Sequence, residues 1–372
     1  MSFRIILYNT TEGQFVSEFF IQYGLFAAKS FTLIFMAIIG LIVFASVVSA
    51  KQKARETIEI EKINDHFEHL RDAIESEVFS KQEYKALQKE RKKAEKQNEK
   101  KLKKQSKCHN DDNNEEHDNK QRLFLLRFDG DMHASEVDGL RESITAILTV
   151  AKPSDEVLVI LDSPGGIVHN YGLAASQLQR IRQKSIHLTV AVDLVAASGG
   201  YMMACVANKI IAAPFAVVGS IGVLAQVPNF NRLLTKHDID IEHHTAGEYK
   251  STLTMLGKNS NKAREKFREE LEDTHVLFKN FVSDNRTQLN IDQIATGEHW
   301  YGTQAIELQL IDEIKTSDDY LLEKAKHADI YEVSYQIHET FKEKLNSLIY
   351  QNCSKVFGRL WTKFLSPVNW KN

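Results

Sequence analysis

The chain contains the stretch Val195-Ala196-Ala197-Ser198-Gly199-Gly200-Tyr201, in which a serine stands among small residues where an apolar, alanine-rich segment begins. This arrangement predicts that Ser198 lies at the N-terminus of a helix. Because Gly199 and Gly200 have no side chains, a substrate carbonyl could approach the backbone closely there. The free N–H groups and the positive end of the helix dipole would stabilise an oxyanion. Ser198 is therefore a candidate nucleophile.

A serine hydroxyl is a weak nucleophile and needs a base nearby. The base that we favour is Lys250, in Gly247-Glu248-Tyr249-Lys250-Ser251. A free lysine titrates near about 10.4, so burial in an apolar pocket must lower the pKa of the amine if it is to be neutral at pH 7. The residues predicted to form the walls of this pocket are Leu253, Met255 and Leu256. Each residue alone has a simpler interpretation, Ser198 as a helix N-cap and Lys250 as a surface lysine.

Apolar runs and amphipathic patterns alternate along the chain around this stretch. Alternating strands and helices predict an α/β fold in which parallel strands are joined by right-handed crossovers. Strands are predicted at residues 123–128, 157–161, 187–192, 209–212, 221–227 and 239–244. Helices are predicted at residues 136–150, 167–182, from 198 onwards, and at 230–236 and 261–281.

Glycine-rich turns follow several of these strands. They are Asp162-Ser163-Pro164-Gly165-Gly166, the turn that carries Ser198, and Gly219-Ser220-Ile221-Gly222-Val223. Loops after successive parallel strands meet at one edge of the sheet, where ligand sites form. The backbone N–H groups near Gly165, Gly166 and Gly199 are therefore candidate donors to an oxyanion. Ser163 and Ser220 are interpreted as loop serines that bond their own backbone.

Composition limits the remaining classes of function. The 372 residues carry a formal net charge of −3, which gives no general argument for nucleic-acid binding. Three scattered cysteines exclude a disulfide framework and have no metal-ligand spacing. His109 and His117 stand among carboxylates, again without ligand spacing. We expect neither a metal nor an organic cofactor.

Residues 31–50 carry no charge and are dominated by large apolar side chains. About 20 such residues match the length that crosses a bilayer, which predicts a transmembrane helix at residues 30–50 in contact with lipid. A cleavable signal peptide is the alternative, because Val48-Ser49-Ala50 resembles a cleavage site. A second uncharged run, residues 210–231, is interrupted by proline and glycine and is interpreted as buried core, with a second membrane span as the alternative.

The predicted domain organisation follows from these shifts in composition. Residues 1–29 form a lead-in, 30–50 the transmembrane helix, 51–121 a charged helical segment and linker, 122–330 the catalytic domain, and 331–372 a C-terminal extension. The charged segment includes an apolar stripe suited to packing on a partner helix or on the main domain. The stripe consists of Ile60, Ile63, Phe67, Leu70 and Ile74.

In combination, several motifs resemble the signal peptide peptidase A family of serine peptidases. They are Ser-Pro-Gly-Gly at 163–166, Ala-Ser-Gly-Gly-Tyr at 197–201, Gly-Ser-Ile-Gly-Val at 219–223 and Tyr-Lys at 249–250. The resemblance implies a ClpP/crotonase-like spiral fold and a Ser/Lys dyad in which Ser198 is the nucleophile and Lys250 the general base. One departure is Asp162, where the family often has Asn.

The resemblance also implies hydrolysis of signal-peptide-like or unfolded peptides, and a homo-oligomer in which the lysine of one subunit completes the site around the serine of its neighbour. It implies a single-pass protein of the bacterial inner membrane with a periplasmic catalytic domain. Lys51, Lys53 and Arg55 favour the opposite orientation by the positive-inside rule.

Three alternatives stay open at this point. A Ser-His-Asp triad could use one of several histidines, with Asp162 or Asp193 as its acid. The candidate histidines are His169, His187, His237, His243, His244 and His275. A crotonase-type enzyme would use the glycine-rich turns to hold a CoA thioester, and a non-catalytic membrane scaffold would use the apolar stripe and the basic segment.

Overall fold

The computed structural model describes residues 21, 23–34, 36, 55–105 and 121–338. The chain divides into two compact units, one formed by Met1–Thr57 with Gln336–Asn372 and the other by Ile58–Tyr335. In the first unit, residues 23–34 are helical and almost all exposed. The second unit carries the site.

A seven-stranded sheet organises the second unit, in the order β1-β10-β2-β3-β4-β6-β9. From β10 to β9 every neighbouring pair is parallel. A smaller sheet has the order β5-β7-β8. The strands are β1 (Arg55–Lys62), β2 (Gln121–Asp129), β3 (Glu156–Asp162), β4 (His187–Val192), β5 (Val195–Ala197), β6 (Lys209–Ala212), β7 (Val217–Gly219), β8 (His299–Tyr301), β9 (Glu313–Ile314) and β10 (Ala328–His338). The predicted α/β class with a parallel sheet is confirmed.

Hydrophobic clusters cover both faces of the large sheet, which is why β2 and β3 read as nearly continuous apolar runs. Along β2, Phe124 and Leu126 enter the larger cluster, whereas Leu123 and Leu125 enter the smaller one. The helices are α1 (Ile63–Val78), α2 (Lys81–Gln105), α3 (Val137–Val150), α4 (Val168–Gln183), α5 (Gly199–Ala204), α6 (Asn231–Lys236), α7 (Asn261–Asn285), α8 (Ile291–Ile294), α9 (Gly302–Ala305) and α10 (Ser317–Lys324). Each helix predicted between residues 136 and 281 has an observed counterpart.

Two predicted strands are wrong. The strand after β6 is β7, Val217–Gly219, and residues 221–227 have no regular structure. Residues 239–244 also form no strand, and Ile239 and Ile241 are exposed. Both stretches have the alternating apolar residues of a half-buried strand, but none of the described strands pairs with them. The uncharged run 210–231 is buried at β6 and exposed beyond Leu224, so its interpretation as core holds for its first half.

The structure adds strands near both ends of the second unit. β1 lies inside the segment predicted to be charged helix and linker, and β10 crosses the predicted boundary at residue 330. Alternation in Thr57-Ile58-Glu59-Ile60 is the signal for β1. Of the apolar stripe, Ile63 and Phe67 pack on the smaller cluster, whereas Leu70 and Ile74 are exposed.

Among the residues that the structure describes, no helix is both long and apolar enough to cross a membrane. The predicted span at residues 30–50 lies mostly outside the described residues, since residues 35 and 37–50 are not among them.

A buried carboxylate fastens α10 to the sheet. Glu156 of β3 accepts hydrogen bonds from the hydroxyls of Thr189 and Tyr320 and from the Lys324 ammonium. Only 2% of Glu156 is exposed. Burial opposes its charge, but the hydrogen bonds from Lys324, Tyr320 and Thr189 outweigh that cost and hold the pKa of Glu156 below its ordinary value.

This depressed pKa makes the stability depend on pH in a defined direction. The unfolded carboxyl binds a proton more readily than the folded one, so the contribution of Glu156 is present above the ordinary pKa and is lost as pH falls through the folded pKa. We expect Glu156→Gln to lower the free energy of unfolding by about 2 kcal/mol at neutral pH and to make it less sensitive to acid. Denaturant melts between neutral and acidic pH measure both effects.

The matched control is Glu332→Gln, which removes a carboxylate from the more exposed pair with Arg127. Its cost should stay under about 1 kcal/mol. Equal effects of the two variants, or a Glu156→Gln curve parallel to that of the wild type, would contradict the assignment.

Candidate active site

Ser198 occupies a strained backbone conformation between β5 and α5. Its φ of 54° and ψ of −117° lie in a region that residues with a side chain rarely adopt. The Ser198 N–H donates to the Gly219 carbonyl at 2.8 Å, and β5 pairs with β7 in parallel from Val195 to Ala197. The small sheet therefore fixes the serine and joins its turn to the predicted Gly219 turn. Ser198 is half-buried.

The Pro-Gly-Gly turn lies directly against Ser198. Gly165 has a φ of +86°, and a Cβ built on it would lie 2.7 Å from Ala197 O and 2.8 Å from Ser198 Cβ. A Cβ on Gly166 would lie 2.2 Å from Met132 O. Both positions require glycine because backbone atoms fill the space that a side chain would need. The structure thus brings the first two predicted turns into contact.

Of the three predicted oxyanion donors, two have N–H groups free for a ligand. The Gly165 N–H donates to Ser163 Oγ at 3.1 Å, so Gly165 shapes the turn instead of offering a donor. Within the described chain the Gly166 N–H has no partner. Gly199 is the first residue of α5, and its N–H has no acceptor inside the helix. Gly199, next to Ser198 in sequence, and Gly166, next to the Gly165 that packs on Ser198, are therefore the two available donors.

Carboxylates gather at the same edge of the large sheet. Asp162, at the departure from the family motif, pairs in register with Asp129 of β2. Burial, followed by the charges of Asp129 and Asp193, raises the pKa of Asp162 above its ordinary value. Asp193 accepts hydrogen bonds from the backbone and hydroxyl of Ser317. The Asp162 carboxylate, at the start of the Pro-Gly-Gly turn, is thus easier to protonate than an isolated one.

Lys250 lies in an exposed loop, and its environment differs from the one expected. The predicted walls do not enclose it in a single chain, where Met255 is 48% and Leu256 44% exposed. Within the described residues, neither the Lys250 amine nor the Ser198 hydroxyl has a hydrogen-bond partner. A single chain therefore forms no hydrogen bond between the two groups and provides no apolar burial for the amine.

The histidines give no support to a triad. Among the described residues, no histidine bonds Ser198, and His275 Nε2 instead lies 3.2 Å from the Ile221 carbonyl oxygen. Ser163 is fully buried and bonds the backbone of its own turn, as predicted for a loop serine. Its contact with Tyr171, at 2.6 Å between the two hydroxyls, was not predicted, because Tyr171 stands inside a helix and belongs to none of the glycine-rich motifs.

Comparison with known proteins assigns the chain to a class, that of the proteases. Residues 18–178 match the N-terminal part of peptidase family S49, and residues 180–331 match peptidase family S49 itself. The probable protease SohB of Haemophilus influenzae is 52% identical over 350 residues, covering 92% of this chain and 96% of that protein. The probable protease SohB of Buchnera aphidicola subsp. Schlechtendalia chinensis is 48% identical, covering 82% of this chain and 100% of that protein. The chain belongs to peptidase family S49.

A solved structure of a membrane-bound stomatin-specific protease in complex with a substrate peptide is also similar. It is 16% identical, with a TM-score of 0.38, and the match covers 62% of this chain and 98% of that one.

Proposed function

We propose that the chain is a serine endopeptidase that uses Ser198 as nucleophile and Lys250 as general base. The observation that carries the proposal is the strained Ser198, which packs against Gly165 and is followed directly by Gly199 at the start of α5. Strain of this kind persists only where the surrounding structure imposes it, and it is concentrated at functional sites. The ClpP/crotonase-like spiral implied by the sequence resemblance is part of the same proposal.

The reaction would proceed in two steps. A neutral Lys250 amine takes the Ser198 proton as Oγ forms a bond to the peptide carbonyl carbon, and the N–H groups of Gly166 and Gly199 receive the oxyanion. The C–N bond then breaks, and Lys250 returns the proton to the leaving amine. Water, activated by the same amine, hydrolyses the acyl-enzyme and regenerates the Ser198 hydroxyl. The steps require no metal or cofactor.

We propose that the dyad is completed between neighbouring copies of the chain. Lys250 is exposed and has no partner among the described residues of one chain, whereas the mechanism needs it buried and neutral. Residues 224–256, the stretch that includes Lys250, expose many large apolar side chains, and exposed apolar surface marks a contact surface. These side chains are Leu224, Val227, Phe230, Leu233, Ile239, Ile241, Tyr249, Met255 and Leu256. We propose that a neighbouring subunit packs on this stretch and buries the amine next to its own serine.

The substrates that we propose are extended peptides, either signal-peptide-like or unfolded. A half-buried serine near the exposed Pro-Gly-Gly turn at Gly166 suits a chain segment without its own fold. The proposal also includes a single membrane anchor at residues 30–50 and a catalytic unit on the periplasmic side of a bacterial inner membrane.

Covalent labelling tests the nucleophile. A fluorophosphonate should label the wild-type protein once per chain and should not label Ser198→Ala. The matched control is Ser220→Ala. Ser220 has a φ of 52°, so its backbone has nearly the same positive φ as that of Ser198. The control should keep its label. Labelling of Ser198→Ala, or its loss in Ser220→Ala alone, would overturn the assignment of the nucleophile.

A further inference from the structure

A fully buried tyrosine of α4 joins the two turns of the site. The Tyr171 hydroxyl lies 2.6 Å from Ser163 Oγ and 2.7 Å from the Asp131 carbonyl oxygen. Ser163 Oγ in turn accepts the Gly165 N–H. Tyr171 and Ser163 are both 0% exposed, so these bonds form without competition from water.

The donors and acceptors fix the direction of this series of hydrogen bonds. A carbonyl oxygen can only accept, so the single proton of Tyr171 points to Asp131 O. Ser163 must then donate to Tyr171 Oη, which is closer than its other possible acceptor, Gly130 O, at 3.4 Å. The remaining lone pairs of Ser163 accept the Gly165 N–H. The bonds therefore run from Gly165 through Ser163 and Tyr171 to Asp131.

The ring of Tyr171 supports the other side of the site. A Cβ built on Gly199 would lie 2.4 Å from Tyr171 Cγ, so the ring packs directly beneath the first residue of α5. Burial raises the pKa of Tyr171 above its ordinary value, which keeps the hydroxyl protonated in neutral solution. One side chain thus contacts the backbone next to Ser198 and, through Ser163, fixes the Gly165 turn that precedes the free Gly166 N–H.

We propose that Tyr171 is a positioning residue for the peptidase reaction, holding the Gly165–Gly166 turn and the Gly199 backbone in register so that the Gly166 and Gly199 N–H groups converge on one oxyanion. This inference rests on the function proposed above. It assigns Tyr171 no contact with substrate. Its hydroxyl acts through Ser163 and its ring acts through Gly199.

The test removes one hydroxyl group at a time from this series of hydrogen bonds. Tyr171→Phe keeps the ring and deletes only the hydroxyl, and Ser163→Ala deletes the next link. Each should lower kcat for a fluorogenic peptide by about 10- to 100-fold with little change in KM, because misplaced donors weaken binding of the transition state more than that of the substrate. The kcat of the double variant should lie within about twofold of that of the slower single variant. The two hydroxyls belong to one series of hydrogen bonds and so do not contribute independently.

The control is Tyr201→Phe, which removes an equally buried hydroxyl that donates to the Leu310 carbonyl at 2.9 Å. It should cost similar thermal stability and leave kcat within about twofold of the wild type. A Tyr171→Phe enzyme that matches Tyr201→Phe in kcat, or single losses that multiply in the double variant, would overturn the inference. If Tyr171→Phe does not fold, Ser163→Ala against Tyr201→Phe decides by the same criterion. Ser198→Ala, assayed alongside, separates the two proposals, since hydrolysis that survives it overturns the proposed function instead.

Discussion

Equal mixing of Ser198→Ala and Lys250→Ala chains is expected to restore peptidase activity that neither variant has alone. Each variant by itself should lose at least about 10³-fold in kcat, since removal of a nucleophile or of its base leaves only the oxyanion donors. In a mixed oligomer, the serine of a Lys250→Ala chain meets the lysine of a Ser198→Ala chain. If the chains assemble at random, about a quarter of the sites become complete, as expected where a contact between subunits carries the site.

The measurement is hydrolysis of a fluorogenic peptide after the two variants are dissociated and reassembled together. The control is the double variant Ser198→Ala/Lys250→Ala mixed with each single variant, which cannot form a complete site. Activity that stays at background after verified co-assembly would mean that both groups of the dyad come from the same chain, or that Lys250 is not the base.

Gly165→Ala is expected to lower activity strongly. The same change at Gly172, in the helix that follows the turn, is expected to leave activity unchanged. The new methyl group would lie 2.7 Å from both Ala197 O and Gly199 N, and neither backbone atom can move without displacing Ser198. The φ of +86° adds the cost of a left-handed conformation. We expect a loss of about 10²- to 10³-fold in kcat, because small errors of position are amplified at a reacting centre.

The matched control is Gly172→Ala in α4. A Cβ there meets no atom within 4 Å, and alanine in a helix interior is favoured over glycine by about 1 kcal/mol. This variant should be as active as the wild type and slightly more stable in a thermal melt. If Gly165→Ala is as active as Gly172→Ala, the packing of the turn on Ser198 has no catalytic role.

The sequence pattern correctly predicted the helices and strands whose apolar residues are buried by other parts of the same chain. β4 and β6 have the predicted bounds, and α3 and α4 begin within one residue of theirs, because their apolar residues face a core formed by the same sheet. Residues 221–227 and 239–244 failed for the opposite reason. Their apolar periodicity is real, but no strand among the described residues pairs with either stretch. A pattern of hydrophobic residues predicts that a face will be buried, not by which molecule.

The site divides in the same way. Small residues around Ser198 and in the Pro-Gly-Gly turn indicate close backbone contacts, so the contact between these two turns could be predicted from local sequence. The surroundings of Lys250 could not, since two of the three predicted apolar walls, Met255 and Leu256, are exposed in one chain. Tyr171 was missed because its partners, Ser163 and Asp131, meet it only through the packing of three separate loops and helices.

The positive φ of Ser198 also restricts which amino acids can replace it. A threonine hydroxyl has much the same chemistry, but the second branch at its Cβ makes a φ of 54° a severe steric outlier. Cysteine branches no more than serine and could adopt the turn. Backbone geometry, more than the acidity of the hydroxyl, therefore explains why an unbranched side chain occupies this position.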